Sequence, residues 1–158
     1  MTVLIDSCVF FGFYSLRDKF HMDSIALLMH ALERRWGSAL ITNHVVDEVL
    51  TSLKYRISPE AALSFLTDFL DSDAISIVYT DEETERKAMR LFKQHVRRAG
   101  LSYTDATTVV VMEELNIGTL LTYDMRSFAG LVENILGPGY WASLPREERD
   151  RISRLLMR

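Results

Sequence analysis

LSYTDATTVVVMEELNIGTLLTYD, residues 101–124, reads as a helix followed at once by a strand that ends in an acid. Ser102 with Asp105 three positions later predicts an N-terminal capping box, closed by a shorter acid than the usual Glu. Up to Leu115 the helix is apolar almost all round, through Val109, Val110, Val111 and Met112, so it is expected to be buried. Asn116-Ile117-Gly118 stops it. Thr119 to Tyr123 then predicts a short strand closing on Asp124. A buried helix feeding a buried strand is the repeating unit of a parallel sheet covered on both faces.

The same unit recurs on the N-terminal side. Val3-Leu4-Ile5 predicts a first strand ending at Asp6. Ser24 to Trp36 has helical spacing, with Ile25, Leu28, Met29 and Leu32 on one face and Gly37 as its stop. Ala39 to Thr42 predicts a second strand. Asn43 is placed as the cap of a helix carrying Val45, Val46, Val49, Leu50 and Leu53. Ser58-Pro59-Glu60 opens another helix with proline at its first position, running through Leu63, Phe65, Leu66 and Phe69. Ile75 to Tyr79 alternates as a third strand. Thr80 is placed as the cap of a long charged helix with Ala88, Leu91, Phe92 and Val96 as its buried stripe and Gly100 as its close. Gly137-Pro138-Gly139 breaks the pattern, and Pro145 to Met157 predicts a terminal helix with Ile152, Leu155 and Leu156 on one side. The fold expected is three-layer α/β/α around a central parallel sheet of about four to five strands. Residues 1–136 form its domain and 137–158 a C-terminal extension.

A chain of 158 residues is one ordinary domain. Hydrophobic residues at 48% and charged residues at 25% exclude a disordered chain. The single cysteine, Cys8, excludes an internal disulfide and fits a reducing compartment. No apolar run approaches the length of a membrane span, and the chain enters its first strand with no basic or apolar leader. These features lead us to expect a cytoplasmic protein. The net charge of −4 on its own argues against a nucleic-acid partner. Its distribution does not. Setting aside the four acids discussed next, 18 acidic groups remain against 18 Lys and Arg, and six basic residues with no acid lie between Arg86 and Arg98.

In a parallel α/β sheet, ligands bind outside the carboxyl ends of the strands, and the helices that follow begin at the same edge. Asp6 and Asp124 close two strands, Asp105 lies in the first turn of its helix, and Glu48 lies about one turn into another. Residues spread over most of the chain thus converge on one rim. Adjacent Asp47 is equally close to the edge of the apolar stripe, so spacing alone leaves open which of Asp47 and Glu48 faces the site. Carboxylates gathered in this way resist ionising together, and a divalent cation relieves them. An all-oxygen donor set suits Mg²⁺ or Mn²⁺ better than Zn²⁺. His44 shares a helix face with Glu48, but no further histidine has the spacing to complete a zinc site. Oxygen-held Mg²⁺ suits phosphodiester hydrolysis, in which the metal activates water and stabilises the leaving oxygen.

The pieces Leu4-Ile5-Asp6-Ser7, Val45-Val46-Asp47-Glu48-Val49-Leu50, Leu101-Ser102-Tyr103-Thr104-Asp105-Ala106 and Leu120-Leu121-Thr122-Tyr123-Asp124, with Phe128 after them, together resemble the PIN-domain family over roughly residues 3–130. The resemblance implies a Mg²⁺- or Mn²⁺-dependent endoribonuclease in which Asp6, Glu48, Asp105 and Asp124 bind the metal and Ser7 assists. It also implies RNA as substrate, a homodimer, and the toxin half of a VapC-type pair with an antitoxin protein as partner. Some members of the family are inactive, so the rival reading is a PIN-like module that binds RNA or protein without catalysis.

Several features have plainer readings. Asp124 can simply start a turn and Asp105 can simply favour a helix start. Cys8 reads as a small buried residue. Phe10, Phe11, Phe13 and Tyr14 read as core before they read as a base-stacking platform. Arg86, Lys87, Arg90, Lys93 and Arg97 read as a solvated helix face, with an RNA track as the sharper alternative.

Overall fold

The alternation of strand and helix is realised in a computed structural model that describes residues 2–157. Five strands form one sheet: β1 Thr2–Ile5, β2 Ser38–Thr42, β3 Ser76–Val78, β4 Thr119–Leu121 and β5 Asn134–Leu136. All pairs are parallel and the order is β3-β2-β1-β4-β5. The central strands carry continuous apolar runs because both faces are covered: Val3, Leu4, Ile5, Leu120 and Leu121 are wholly buried. The order reverses between β1 and β4, so the topological switch point lies where the first and fourth strands end.

The helices are α1 Ser7–Tyr14, α2 His21–Leu32, α3 Asn43–Arg56, α4 Pro59–Phe65, α5 Glu82–His95, α6 Tyr103–Glu114, α7 Met125–Phe128, α8 Tyr140–Ser143 and α9 Arg146–Leu156. A π-helical turn, Leu66–Leu70, follows α4 directly. On one side of the sheet, Phe10 sits edge-on to Phe65 and Phe69 at 5.0 and 5.5 Å. Such pairs contribute roughly 0.5–1.5 kcal/mol each beyond their burial. On the other side, Leu4, Val109, Val111, Leu120 and Phe128 form a second cluster. Phe10 is therefore core, as its plainer reading had it.

Two caps lie one residue from the positions expected. Thr42, not Asn43, caps α3 by accepting the Val45 N–H, which frees Asn43 Oδ1 to accept the Thr80 N–H. Asp81, not Thr80, caps α5 by accepting the Thr84 N–H. The second helix starts at His21 and ends at Leu32, before Trp36. Val96 falls beyond the end of α5 and is exposed, so it does not continue the stripe of Ala88. β5, α7 and α8 are additional elements that no periodicity announced.

The chain after β5 folds back over α2. Asp23 on α2 accepts the N–H groups of Gly139 and Trp141, and Ile152 of α9 is buried against Ile25, Ala26 and Leu144. Leu155 and Leu156, expected on the same face, are half exposed. His30 lies between the Tyr140 hydroxyl and Glu148, each at 2.6 Å. Arg151 joins Glu148 to Glu33, and with His30 it holds the Glu148 carboxyl down at about 2.

Candidate metal centre and active site

Asp6 follows the last residue of β1 and caps α1, so strand and helix both fix it. Its backbone continues the sheet by donating to Leu121 O. Its carboxylate is buried and accepts only from neutral donors: the Ser7 N–H at 2.7 Å, Thr122 Oγ1 at 2.7 Å and the Cys8 thiol at 3.1 Å. Burial pushes its pKa up, and the nearby charge of Glu48 adds to the rise.

Glu48 lies on α3, where Ser7 Oγ donates to it at 2.9 Å. Ser7 thus joins the two acids through its backbone and its hydroxyl. Asp47 is exposed and lines a shallow apolar groove with Val46, Leu50, Ile77 and Tyr79. Of the two neighbours, Glu48 is the one tied to Asp6 through Ser7.

Asp105 closes the expected capping box on α6: Ser102 Oγ accepts the Asp105 N–H and Asp105 Oδ2 accepts the Ser102 N–H at 2.6 Å. Burial, with the charges of Asp6 and Asp124 nearby, pushes its carboxyl up to about 6. Asp124 caps α7; one oxygen accepts the Ser127 N–H at 2.9 Å and the other the Ser127 hydroxyl at 2.5 Å. It does start a turn, as its plainer reading had it, while still lying close enough to act electrostatically on Asp105.

Two residues beside the acids were not singled out for this role. Thr122, fully buried between β4 and Asp124, donates to Asp6 Oδ2 and accepts the Asp124 N–H at 3.0 Å. One hydroxyl therefore ties two of the acids together across the switch point. Its signal was available in the period of two that puts residues 122 and 124 on one side of an extended segment. Cys8 is more than filler, because it donates to Asp6 and accepts the Tyr123 N–H at 3.2 Å. Burial and the Asp6 charge push its thiol up, so it stays protonated as a donor.

Repelling acids with a buried member and only neutral donors around it are a fitting environment for a hard divalent cation. The ligand oxygens are not gathered around a point. Among the described residues, the group of three possible ligands lying within 4.8 Å of one another is elsewhere, at His30, Glu33 and Glu148. There the Arg151 guanidinium already bonds both carboxylates. That cluster has its cation, and the acid rim does not.

A family model described as the PIN domain matches residues 3–132. The chain belongs to the PIN-domain family. It is 49% identical over 156 residues to a VapC ribonuclease of Archaeoglobus fulgidus, covering 99% of this chain and 96% of that protein. Among solved structures of the PIN fold it resembles VapC20 of Mycobacterium tuberculosis, described as a sarcin-ricin loop cleaving toxin. The TM-score is 0.67 at 22% identity, over 83% of this chain and 97% of the other. It also resembles FitAcB of Neisseria gonorrhoeae, with a TM-score of 0.61 at 15% identity over 86% and 97% of the two chains. The second and third matches carry the fold, and the first carries the family at a closeness where function is commonly shared.

Proposed function

We propose that this PIN-domain chain is a ribonuclease that hydrolyses RNA phosphodiester bonds with a Mg²⁺ or Mn²⁺ ion held by Asp6, Glu48, Asp105 and Asp124. The observation that carries the reading is the buried Asp6 carboxylate, which has two acidic neighbours acting on the same rim and no cationic partner among its bonds. The bound ion supplies Lewis acidity and a water of lowered pKa. The protein's own part is to hold the acids. Ser7 and Thr122 orient Asp6 against Glu48 and Asp124, and the capping box anchors Asp105. Asp124 has both oxygens on Ser127, so binding an ion would compete with those two bonds.

RNA cleavage with Mn²⁺ tests this reading. Wild type cuts single-stranded or structured RNA, EDTA stops it, and Asp6→Asn is inactive while keeping its fold. Cleavage by Asp6→Asn at the wild-type rate contradicts it, and metal-indifferent RNA binding without cleavage favours the inactive module instead.

We further propose a toxin role, which the 49% identical VapC ribonuclease and the VapC20 toxin of the same fold support, with a protein antitoxin and a second copy of the chain as partners. Light scattering on the purified protein, alone and with the product of any small adjoining reading frame, measures both. The extension 137–158 fits best as a brace on α2, given the burial of Ile152 and the bonds to Asp23. Among the described residues no helix is long and apolar enough to cross a membrane.

A further inference from the structure

A second polar constellation stands on the same rim, beside the acids. Glu85, in the first turn of α5, accepts hydrogen bonds from the hydroxyls of Thr80 and Tyr103 and from His44 Nε2, the last at 2.6 Å. The Tyr103 ring stands edge-on to the imidazole, with centroids 5.7 Å apart at 86°. His44 precedes Glu48 by four residues, so both share one face of α3 with the histidine nearer the helix start. Tyr103 precedes Asp105 by two residues on α6. Among the described residues no hydrogen bond of this constellation reaches Asp6, Glu48, Asp105 or Asp124, so it does not serve to hold the acids.

The bonding pattern fixes the chemistry of the imidazole. Burial pushes Glu85 up, but the three donors outweigh it and hold the carboxyl at about 2, so it is an acceptor only. The nitrogen that faces it must carry the hydrogen. In the neutral ring this leaves Nδ1 with a lone pair, and no group among the described residues bonds it. The side chain is 26% exposed. The protein thus presents a fixed hydrogen-bond acceptor one helical turn from Glu48. Phosphate oxygens cannot pair with an acceptor. On a nucleic-acid strand whose phosphate lies at the acids, the donor that the adjoining sugar–phosphate backbone offers is the ribose 2′-hydroxyl, which DNA lacks, whereas the base N–H donors are common to both.

We propose that His44 Nδ1, with its ring fixed by Glu85 and Tyr103, accepts a hydrogen bond from the 2′-hydroxyl of a ribose beside the scissile phosphate and so lets the site distinguish RNA from DNA. The inference rests on the acid rim being where RNA lies.

The test is equilibrium binding at pH 8. Fluorescence anisotropy is read in EDTA with a labelled single-stranded RNA, the DNA of the same sequence, and RNAs carrying one 2′-deoxy position each. Repulsion by the metal-free acids acts on RNA and DNA alike, so the RNA-to-DNA ratio is the readout. Wild type favours RNA, and one 2′-deoxy position accounts for most of the preference. His44→Ala loses about three- to tenfold for RNA, the worth of one hydrogen bond, with DNA unchanged and that 2′-deoxy position now silent. Glu85→Gln, whose amide can also donate to Nε2 and release the tautomer, loses part of the same preference. An equal loss for RNA and DNA in His44→Ala identifies a merely structural tie and overturns the proposal, as does a wild type with no RNA preference. Because no metal or cleavage is needed, the outcome is independent of whether the four acids hydrolyse RNA.

Discussion

Asp6 is buried among neutral donors, and Asp105 is raised to about 6 from an ordinary 3.8. A raised carboxyl favours folding fully below pH 3.8, and that contribution is lost as pH rises through about 6. In EDTA, Asp105→Asn should therefore melt higher than wild type at pH 7.5, with the gap closing by pH 4. Differential scanning calorimetry reads both ends; a constant gap means that the charge of Asp105 is not under strain. Thr122→Val keeps the shape of the side chain but removes the hydroxyl between Asp6 and the Asp124 backbone. Groups that orient metal ligands typically contribute 10–100-fold in affinity or activity. Cleavage by Thr122→Val should fall by that order, with a loss of stability of about 1–3 kcal/mol from the two bonds that go with the hydroxyl. The places of the four acids were legible in the sequence because Asp6 and Asp124 follow strands, Asp105 lies in the first turn of a helix and Glu48 about one turn into another. Thr122, Cys8 and the His44–Glu85 pair were not, because their roles depend on which side chains meet across elements. Asp47 and Glu48 could be told apart only once the bond from Ser7 was seen.

The elements were readable where they were long. α3 and α5 have enough turns for a period to emerge, and α6, apolar almost all round, was readable from its length and from the spacing of the Ser102–Asp105 capping box. β5, α7 and α8 have three or four residues each, too few for any period. Cap positions slipped by one because neighbouring Thr, Asn and Asp compete for the same bond, and only backbone direction selects Thr42 and Asp81. Position 137 shows how a short element constrains the site. A Cβ at Gly137 would lie 1.9 Å from Thr122 O, in the segment that links β4 to Asp124. The obstacle is backbone and cannot rotate away, so Gly137→Ala must push β5 from β4. Overpacking of this kind costs about 1–3 kcal/mol. Chemical denaturation should show that loss, and cleavage should fall with it because Thr122 moves. An unperturbed Gly137→Ala enzyme means that β5 does not support the rim.

Across the molecule, the sheet order does what no single acid can. It brings the ends of β1 and β4 side by side, so Asp6 bonds Thr122, two residues before Asp124, although more than a hundred residues lie between them. Strand and helix alternation was enough to expect a parallel sheet, but the 3-2-1-4-5 order was not encoded in any local pattern. The segment after β5 braces this arrangement from the far side of α2, through Ile152 and through the Asp23 and His30 bonds. Ile152→Ala should destabilise the protein by about 2–5 kcal/mol in urea denaturation while leaving metal affinity unchanged. A loss of less than about 1 kcal/mol means that the brace contributes little. The net charge of −4 belongs to the same scale, since an ion held at the rim, as proposed, would offset part of it and ease the approach of RNA. Among the described residues the His30–Glu33–Glu148 cluster gathers possible metal ligands but already has Arg151 as its cation, whereas the acids of the rim are not gathered and have no cation among their bonds. Calorimetric titration with Mn²⁺ therefore reads the account most directly. It predicts saturable binding by wild type and by Glu148→Gln, abolished in Asp6→Asn; binding that survives Asp6→Asn and disappears in Glu148→Gln would contradict it.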